Sequence, residues 1–247
     1  MATVQIGRSE LLQWLGDLHD SVGRARGANE VFARLEVAAA RLGFEWCAFG
    51  IRLPVVVAKP YIAMFNNYPL AWQRRYEEAR YIESDPTIER AVRDQSAIIW
   101  SDAVFAGASK LWSEAQDHGL RVGLAQSCFD SHGLVSLLTL ARHAEPLQPG
   151  ELAGLRVALS WLSTVAHQAF IREMSPDLMP RLRAGLTGRE LDVLRWAAEG
   201  KTAEATAAIL CISVDTVKFH TKNAINKLGS ANKVAAVVRA YALGLLR

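Results

Sequence analysis

The chain has 247 residues, 51% hydrophobic and 21% charged, with a formal net charge of +3, which suits an ordinary globular protein of one large domain or two modest ones. No apolar run reaches the roughly 20 residues of a membrane span, and "MATVQIGRSELLQW" lacks the apolar core of a signal peptide, so neither a membrane protein nor a secreted one is expected. Cys47, Cys128 and Cys211 stand far apart, odd in number, with neither metal spacing nor a disulfide pattern, which points to a reducing cytoplasm.

Helical periodicity covers residues 9–20 and 29–42, after which "FEWCAFGIRL" and "YIAMF" have the composition of neighbouring strands. A helix is predicted over 69–80, a strand at "AIIWS", a helix over 109–118 and a strand at "LVSLLTLAR". Helices before, between and after these strands predict an α+β fold, an N-terminal α/β/α sandwich with an antiparallel sheet. Within it, "NNYPLAWQRRYEEARYIESDP" sets Tyr68, Trp72 and Tyr76 four residues apart and closes on Asp85-Pro86. Rings at this spacing share one helix face. They fit a core stripe or the wall of a pocket, and an aspartate before proline fits a helix cap or turn as well as a site.

Leu152, Leu155, Leu159, Leu162, Ala166 and Ala169 then mark a long amphipathic helix. "SPDLMPRLRAGLT" follows, with two prolines, a glycine and no periodicity, and reads as a linker. The expected organisation is a domain over 1–172, a linker over 173–185 and a second, all-α domain over 186–247. Charge divides at the same place: residues 181–247 hold eleven Lys and Arg against five Asp and Glu. A small basic module on a mildly acidic larger one suits nucleic-acid binding, although a solvated surface has the same composition.

In the basic module Thr187 and Glu190 have the spacing of a capping box, Leu191, Leu194 and Ala198 follow on one face, and Gly200 closes the helix. A second helix begins at Thr202, the turn "CIS" follows, and Ser213 caps a third whose inner face is Val217, Ala224 and Leu228. Two short helices joined by such a turn form a helix-turn-helix whose second helix enters the major groove of double-stranded DNA. With Val217 inward, Lys218 and Lys222 face outward, suited to guanine edges or phosphates. Phe219 fits a thymine methyl contact or, more simply, a partly buried ring, and Thr216 and Thr221 are candidate phosphate contacts.

"LTGRELDVLRWAAEGKT" through "ISVDTVKFHTKNAINKLGSANKVAAVVRAYALGLL" closely resembles the DNA-binding domain of LuxR-type quorum-sensing regulators, with Glu190, Leu194 and Gly200 in place. Ala205 stands where the family usually has glutamate, so the second helix lacks the reciprocal half of a capping box. Upstream, Tyr68, Trp72, Tyr76, Asp85-Pro86, Trp100 and Gly123 match in order and spacing the ligand pocket of the autoinducer-binding members. The family often has proline near Ser127, so "GLAQSCFDSHG" is expected to shape the pocket wall differently.

The resemblance implies an N-acyl homoserine lactone as ligand and no cofactor. The lactone head carries two carbonyls and an amide N–H, each needing a buried partner. Trp72 would donate to the lactone carbonyl, Asp85 accept from the amide N–H, and Tyr68 donate to the acyl carbonyl, beside Thr139 at the family's hydroxyl position. Tyr76 and Trp100 would pack the lactone and tail. The expected function is a cytoplasmic, homodimeric transcription regulator on a palindromic promoter site, with no membrane partner. Val234, Val238 and Tyr241 form a dimer stripe or pack within their own domain, and RNA polymerase is a possible further partner. The alternatives are the same architecture with a different ligand or none, and a lactone-processing enzyme. The last lacks a nucleophile elbow and a metal cluster, His118, His132, His143 and His167 having no metal spacing.

Overall fold

Helices Arg8–Arg24 (α1) and Ala28–Arg41 (α2) open the chain, followed by strands Trp46–Arg52 (β1) and Ile62–Asn66 (β2). Next come helices Leu70–Glu78 (α3) and Pro86–Ala91 (α4), strand Ile98–Ile99 (β3), helix Ser109–Asp117 (α5), strands Val122–Phe129 (β4) and Val135–Arg142 (β5), and the long helix Pro149–Leu182 (α6). The computed structural model describes residues 8–52, 62–130, 133–182 and 185–246. It divides into two compact units, and α6 crosses the boundary between them, which falls after Ser175.

The five strands form one antiparallel sheet in the order β2-β1-β5-β4-β3. Successive side chains of a strand point to opposite faces, and the two faces have different uses here. Cys47, Phe49 and Ile51 of β1, with Leu138 and Leu140 of β5, join one buried cluster with Leu15, Leu18 and Val22 of α1, Val31 and Leu35 of α2, and Leu159, Leu162 and Phe170 of α6. Phe49 stacks on Phe170 at 4.2 Å. In the same layer Ser136 and His167 Nδ1 share a buried hydrogen bond of 2.8 Å. Each large side chain buried here contributes about 1.5–3 kcal/mol, so this face carries the main apolar stabilisation of the unit.

The opposite face meets a smaller aromatic cluster of Trp72, Tyr81, Phe105, Leu111, Trp112, Ala115 and Leu120, against Ala141 of β5. Arg75 of α3 grips Glu114 of α5 with two hydrogen bonds of 2.6 and 2.8 Å, and the Tyr81 hydroxyl donates to the same carboxylate at 2.8 Å. The Arg75 guanidinium holds the Glu114 carboxyl at about 2. The α/β/α sandwich is therefore present, with an antiparallel sheet between two helical layers.

Two details here differ from the sequence reading. The sheet has five strands where four are predicted: β4 runs through Gly123, Ala125, Gln126 and Ser127, which have little strand propensity and are held by pairing with β5, reinforced at Leu124 and Ala125 by β3. The segment 173–185 is not an irregular linker throughout, since α6 continues to Leu182 despite Pro176 and Pro180. A proline forfeits one backbone bond and strains the preceding turn, which interrupts the apolar pattern without ending this helix. Residues 183–184 of that segment lie outside the described residues, as do Leu53 and Tyr61 at the ends of two predicted strands, and His132.

The C-terminal unit holds helices Gly188–Ala198 (α7), Ala203–Leu210 (α8), Val214–Lys227 (α9) and Lys233–Ala242 (α10). Leu194, Ala224, Leu228, Ala236, Ala240 and Leu243 form its main core, and Val193, Ala207 and Val217 a second cluster. Ala198 is exposed, in departure from the predicted stripe; the inward run is Glu190, Val193 and Leu194, a spacing closer to the 3.6-residue turn. The capping box is complete, with the Glu190 N–H on Thr187 Oγ1 at 3.3 Å and the Thr187 N–H on Glu190 Oε2 at 2.8 Å.

Glu190 Oε2 also takes the Lys227 ammonium at 2.8 Å, tying the start of α7 to the end of α9. Burial pushes the Glu190 carboxyl up, but Lys227 and Thr187 outweigh it and hold the group below its usual range. Glu190→Ala removes the reciprocal half of the capping box and the ion pair together, and should destabilise the C-terminal unit by about 2 kcal/mol, whereas Thr187→Ala should cost about 1. Urea unfolding followed by hydrogen exchange of the α7 amides would check this; equal losses in the two variants would mean that the Lys227 contact contributes nothing.

Candidate ligand cavity and nucleic-acid interface

Between the sheet and the aromatic layer lies a cavity of about 570 Å³, within the range of small-molecule sites. Its floor is the sheet face that the helical core does not use. Strand register arranges it in rows: Asn66, Ala48 and Thr139; then Met64, Gly50 and Leu137; then Ile62, Arg52 and Val135. Trp72 and Tyr76 of α3 and Ile88 and Ala91 of α4 also line it.

All six residues singled out in sequence, Tyr68, Trp72, Tyr76, Asp85, Trp100 and Thr139, line this one cavity. Tyr68 precedes α3 rather than sitting on it, because Pro69 caps that helix. Trp72 meets Tyr76 edge-on at 5.7 Å and stacks on Tyr81 at 6.0 Å. Asp85 caps a helix and lines the cavity at once. One oxygen caps α4, accepting the Thr87 N–H at 2.8 Å and the Thr87 hydroxyl at 2.7 Å; the other accepts the Tyr76 hydroxyl at 2.9 Å.

Burial pushes the Asp85 carboxyl above its usual range, and the bonds from Thr87 and Tyr76 oppose that shift. The same desolvation raises the Tyr68 and Tyr76 hydroxyls, which therefore stay neutral donors. Among the described residues no group pairs with the Tyr68 hydroxyl, the Trp72 indole N–H or the Thr139 hydroxyl. A buried polar group left unpaired costs about 1–3 kcal/mol. These three line the cavity and would need partners once a ligand covered them, so with the desolvated carboxylate they suit a small ligand with carbonyl acceptors and an N–H donor.

Trp100 owes its seat to Gly123: a Cβ there would lie 2.5 Å from the indole ring. Trp100 then meets Phe105 and Trp112 edge-on, and those two stack on each other at 4.7 Å. The sequence reading missed Phe105, Trp112 and, apart from Thr139, the floor. The alternation in "WCAFGIR" and "VSLLTLAR" was the available signal for the floor. Of "GLAQSCFDSHG", no described residue lines the cavity itself, but Gly123 shapes the wall by seating Trp100, and Ser127 donates to the Asp94 carbonyl at 2.7 Å.

In the C-terminal unit α8 and α9 are joined through Cys211, whose backbone is left-handed with φ 54°, and Ser213 caps α9. Val217 is buried, and Lys218 and Lys222 are exposed on the opposite side. Phe219 is 60% exposed rather than partly buried in its own domain, because it neighbours Lys218 on the outer face. The Thr216 hydroxyl shares a bond with Ser213 at 2.8 Å, and the Thr221 hydroxyl donates to the Val217 carbonyl at 2.8 Å, so both threonines already have internal partners. Val234, Val238 and Tyr241 of α10 are exposed, while Ala236 and Ala240 fill the core.

Comparison with known proteins matches both parts of the chain to known domains. Residues 27–170 match the autoinducer binding domain, and residues 184–240 match the bacterial regulatory proteins of the luxR family. The chain is 40% identical to the transcriptional activator protein SolR of Ralstonia solanacearum over 93% of this chain and 98% of that one. It is 35% identical to the HTH-type quorum-sensing regulator RhlR of Pseudomonas aeruginosa, over 96% and 97% of the two chains. The crystal structure of Escherichia coli SdiA superposes with a TM-score of 0.86 at 30% identity, covering 96% of this chain and 99% of that one. A structure of SdiA in complex with octanoyl-rac-glycerol gives 0.84, also at 30% identity, over 97% and 98%.

The seat of Trp100 offers a direct test of the cavity. Gly123→Ala forces the indole aside, which should cost about 1–3 kcal/mol and weaken small-molecule binding, both readable by thermal melts with and without ligand. An unchanged melt would show that the ring has room to shift.

Proposed function

The chain belongs to the LuxR family of autoinducer-binding transcriptional regulators, and from that premise we propose that it binds an N-acyl homoserine lactone in the cavity and a palindromic promoter site as a homodimer. The observation that carries this reading is the set of polar groups converging in an aromatic cavity. The Trp72 N–H donates to the lactone carbonyl, Asp85 accepts the amide N–H, and the hydroxyls of Tyr68 and Thr139 serve the acyl carbonyl. Tyr76 packs the lactone and also aims Asp85, and Trp100 closes the far side.

The proposed working division is a sensor over 1–172, a connector over 173–185 and a DNA-binding domain over 186–247, acting in the cytoplasm, where the promoter is. Lys218, Phe219 and Lys222 face the groove, Thr216 and Thr221 the backbone. The exposed Val234, Val238 and Tyr241 support a dimer contact through α10. RNA polymerase is the natural further partner of an activator. No helix among the described residues is long and apolar enough to cross a membrane. The relatives are named as regulators, and Asp85 is engaged by Tyr76 and Thr87, so no lactone-processing reaction is inferred. A second reading, another acyl ligand with a small polar head, draws support from the SdiA complex with octanoyl-rac-glycerol.

Calorimetric titration with an acyl homoserine lactone and with the matching monoacylglycerol separates the two readings. Asp85→Asn should weaken lactone binding on the order of tenfold or more, since a charged acceptor becomes an amide. The pH dependence has a definite sign. The ionised carboxylate is the acceptor and burial raises its pKa, so affinity is full above that value and falls as pH drops through it. The asparagine variant should be flat over the same window, and a parallel fall in both proteins would remove Asp85 from the site.

On DNA, Lys218→Ala or Lys222→Ala should flatten the salt dependence by about one unit per half-site if the lysine meets a phosphate. If it reads guanine, the loss should be about 1–3 kcal/mol and confined to sites that keep that base. Gel-shift titrations at several salt concentrations distinguish these outcomes, and an unaltered double variant would put the wrong face of α9 in the groove.

A further inference from the structure

The floor of the cavity changes character along the strands. Its first row, Asn66, Ala48 and Thr139, lies at the polar end: the Asn66 side chain accepts the Tyr68 N–H at 3.3 Å, and Thr139 is one of the unpaired hydroxyls. Two residues further, about 7 Å along the strands, stand Met64, Gly50 and Leu137. This second row carries no polar side chain, and its central position has no side chain at all. Neighbouring strands are about 4.8 Å apart, so an empty position between Met64 and Leu137 is a groove in the floor roughly one alkyl chain wide.

Gly50 is not required by the backbone. Its φ lies outside the left-handed range, and a Cβ built there meets no atom within 4 Å. Glycine inside a strand weakens it, and commonly marks a place where something approaches the backbone closely. Gly123 is the contrast in the same sheet, since its missing Cβ is filled by Trp100. At Gly50 the space belongs to the cavity and is open.

We propose that Gly50 is the residue that sets acyl-chain length: the tail runs from the polar first row across Gly50, between Met64 and Leu137, and the missing side chain admits tails long enough to reach the second row and beyond. This rests on the reading of the cavity as an acyl homoserine lactone site. The head group touches Trp72, Asp85 and Tyr68, none of which is in the second row, so head recognition and tail length are separable. A short tail ends before Gly50 and is indifferent to what stands there.

The test is calorimetric titration of wild type, Gly50→Ala and Gly50→Val with N-butanoyl- and N-dodecanoyl-homoserine lactone. Each tail methylene that loses its contact weakens binding roughly fourfold, so dodecanoyl affinity should fall about fourfold in Gly50→Ala and tenfold or more in Gly50→Val. Butanoyl affinity should stay the same or rise, and the ligand-free melting temperature should hold or increase, because valine suits an extended strand better than glycine. Equal losses for both lactones, or no loss for either, would overturn the role of Gly50 while leaving the lactone site standing. A wild type that binds neither lactone would overturn the parent reading and this one together.

Discussion

The pleat of β1 and β5 is the constraint on which the N-terminal unit depends. Because side chains alternate, a single strand commits Cys47, Phe49 and Ile51 to one face and Ala48, Gly50 and Arg52 to the other. The first set builds a dry core with α1, α2 and α6 that is stable on its own terms. The second is small enough to leave room under the aromatic layer. A one-residue slip in register would exchange the two sets, placing Phe49 in the cavity and Gly50 in the core, so fold and site stand or fall together.

Asp85 shows how a carboxylate is kept among rings. Its cost of burial is met from two sides, the amide and hydroxyl of Thr87 at one oxygen and the Tyr76 hydroxyl at the other. The helix that it caps, α4, lines the same cavity, so the acid is held where the backbone needs an acceptor in any case. Glu114 solves a similar problem with charge: half-exposed, it is pinned by Arg75 and Tyr81, and it ties α3 to α5 across the aromatic layer. Glu114, outside the cavity lining, is thus stabilised by a cation, whereas Asp85, within it, is stabilised by neutral donors only. The second is the one free to answer a neutral ligand.

What was legible in the sequence follows the distance over which each feature is determined. Thr187, Thr202 and Ser213 announce their helices because a cap is made within three residues, and all three caps are present. The long amphipathic helix was readable from its apolar spacing, and Tyr68, Trp72, Tyr76 and Asp85 from theirs together with the family resemblance. β4 was not, because Gly123, Ala125 and Ser127 become strand only through partners on β3 and β5. The cavity floor was invisible for a related reason: that Gly50 lies between Met64 and Leu137 is a fact of register between strands distant in sequence. Of the two readings of Phe219, the partly buried ring failed because apolar character alone argues for burial, and it is the exposed one that the structure leaves standing.

The proposed ligand is neutral, and this limits how it can act on DNA binding. Binding it adds no net charge, and fields between exposed groups are screened beyond about 8–10 Å at physiological salt. The ligand therefore brings no charge of its own to act on Lys218 and Lys222. What the ligand does change is the free energy of the folded sensor, by pairing Tyr68, Trp72 and Thr139 and filling the space below them, which favours the ordered state by RT ln(1 + [L]/Kd). The residue set that feels that ordering includes α6, buried in the sensor core through Leu159, Leu162 and Phe170 and continuous past the unit boundary to Leu182. On the proposed reading the ligand acts through how firmly the sensor folds, and α6 is the covalent element that continues from that unit past its boundary.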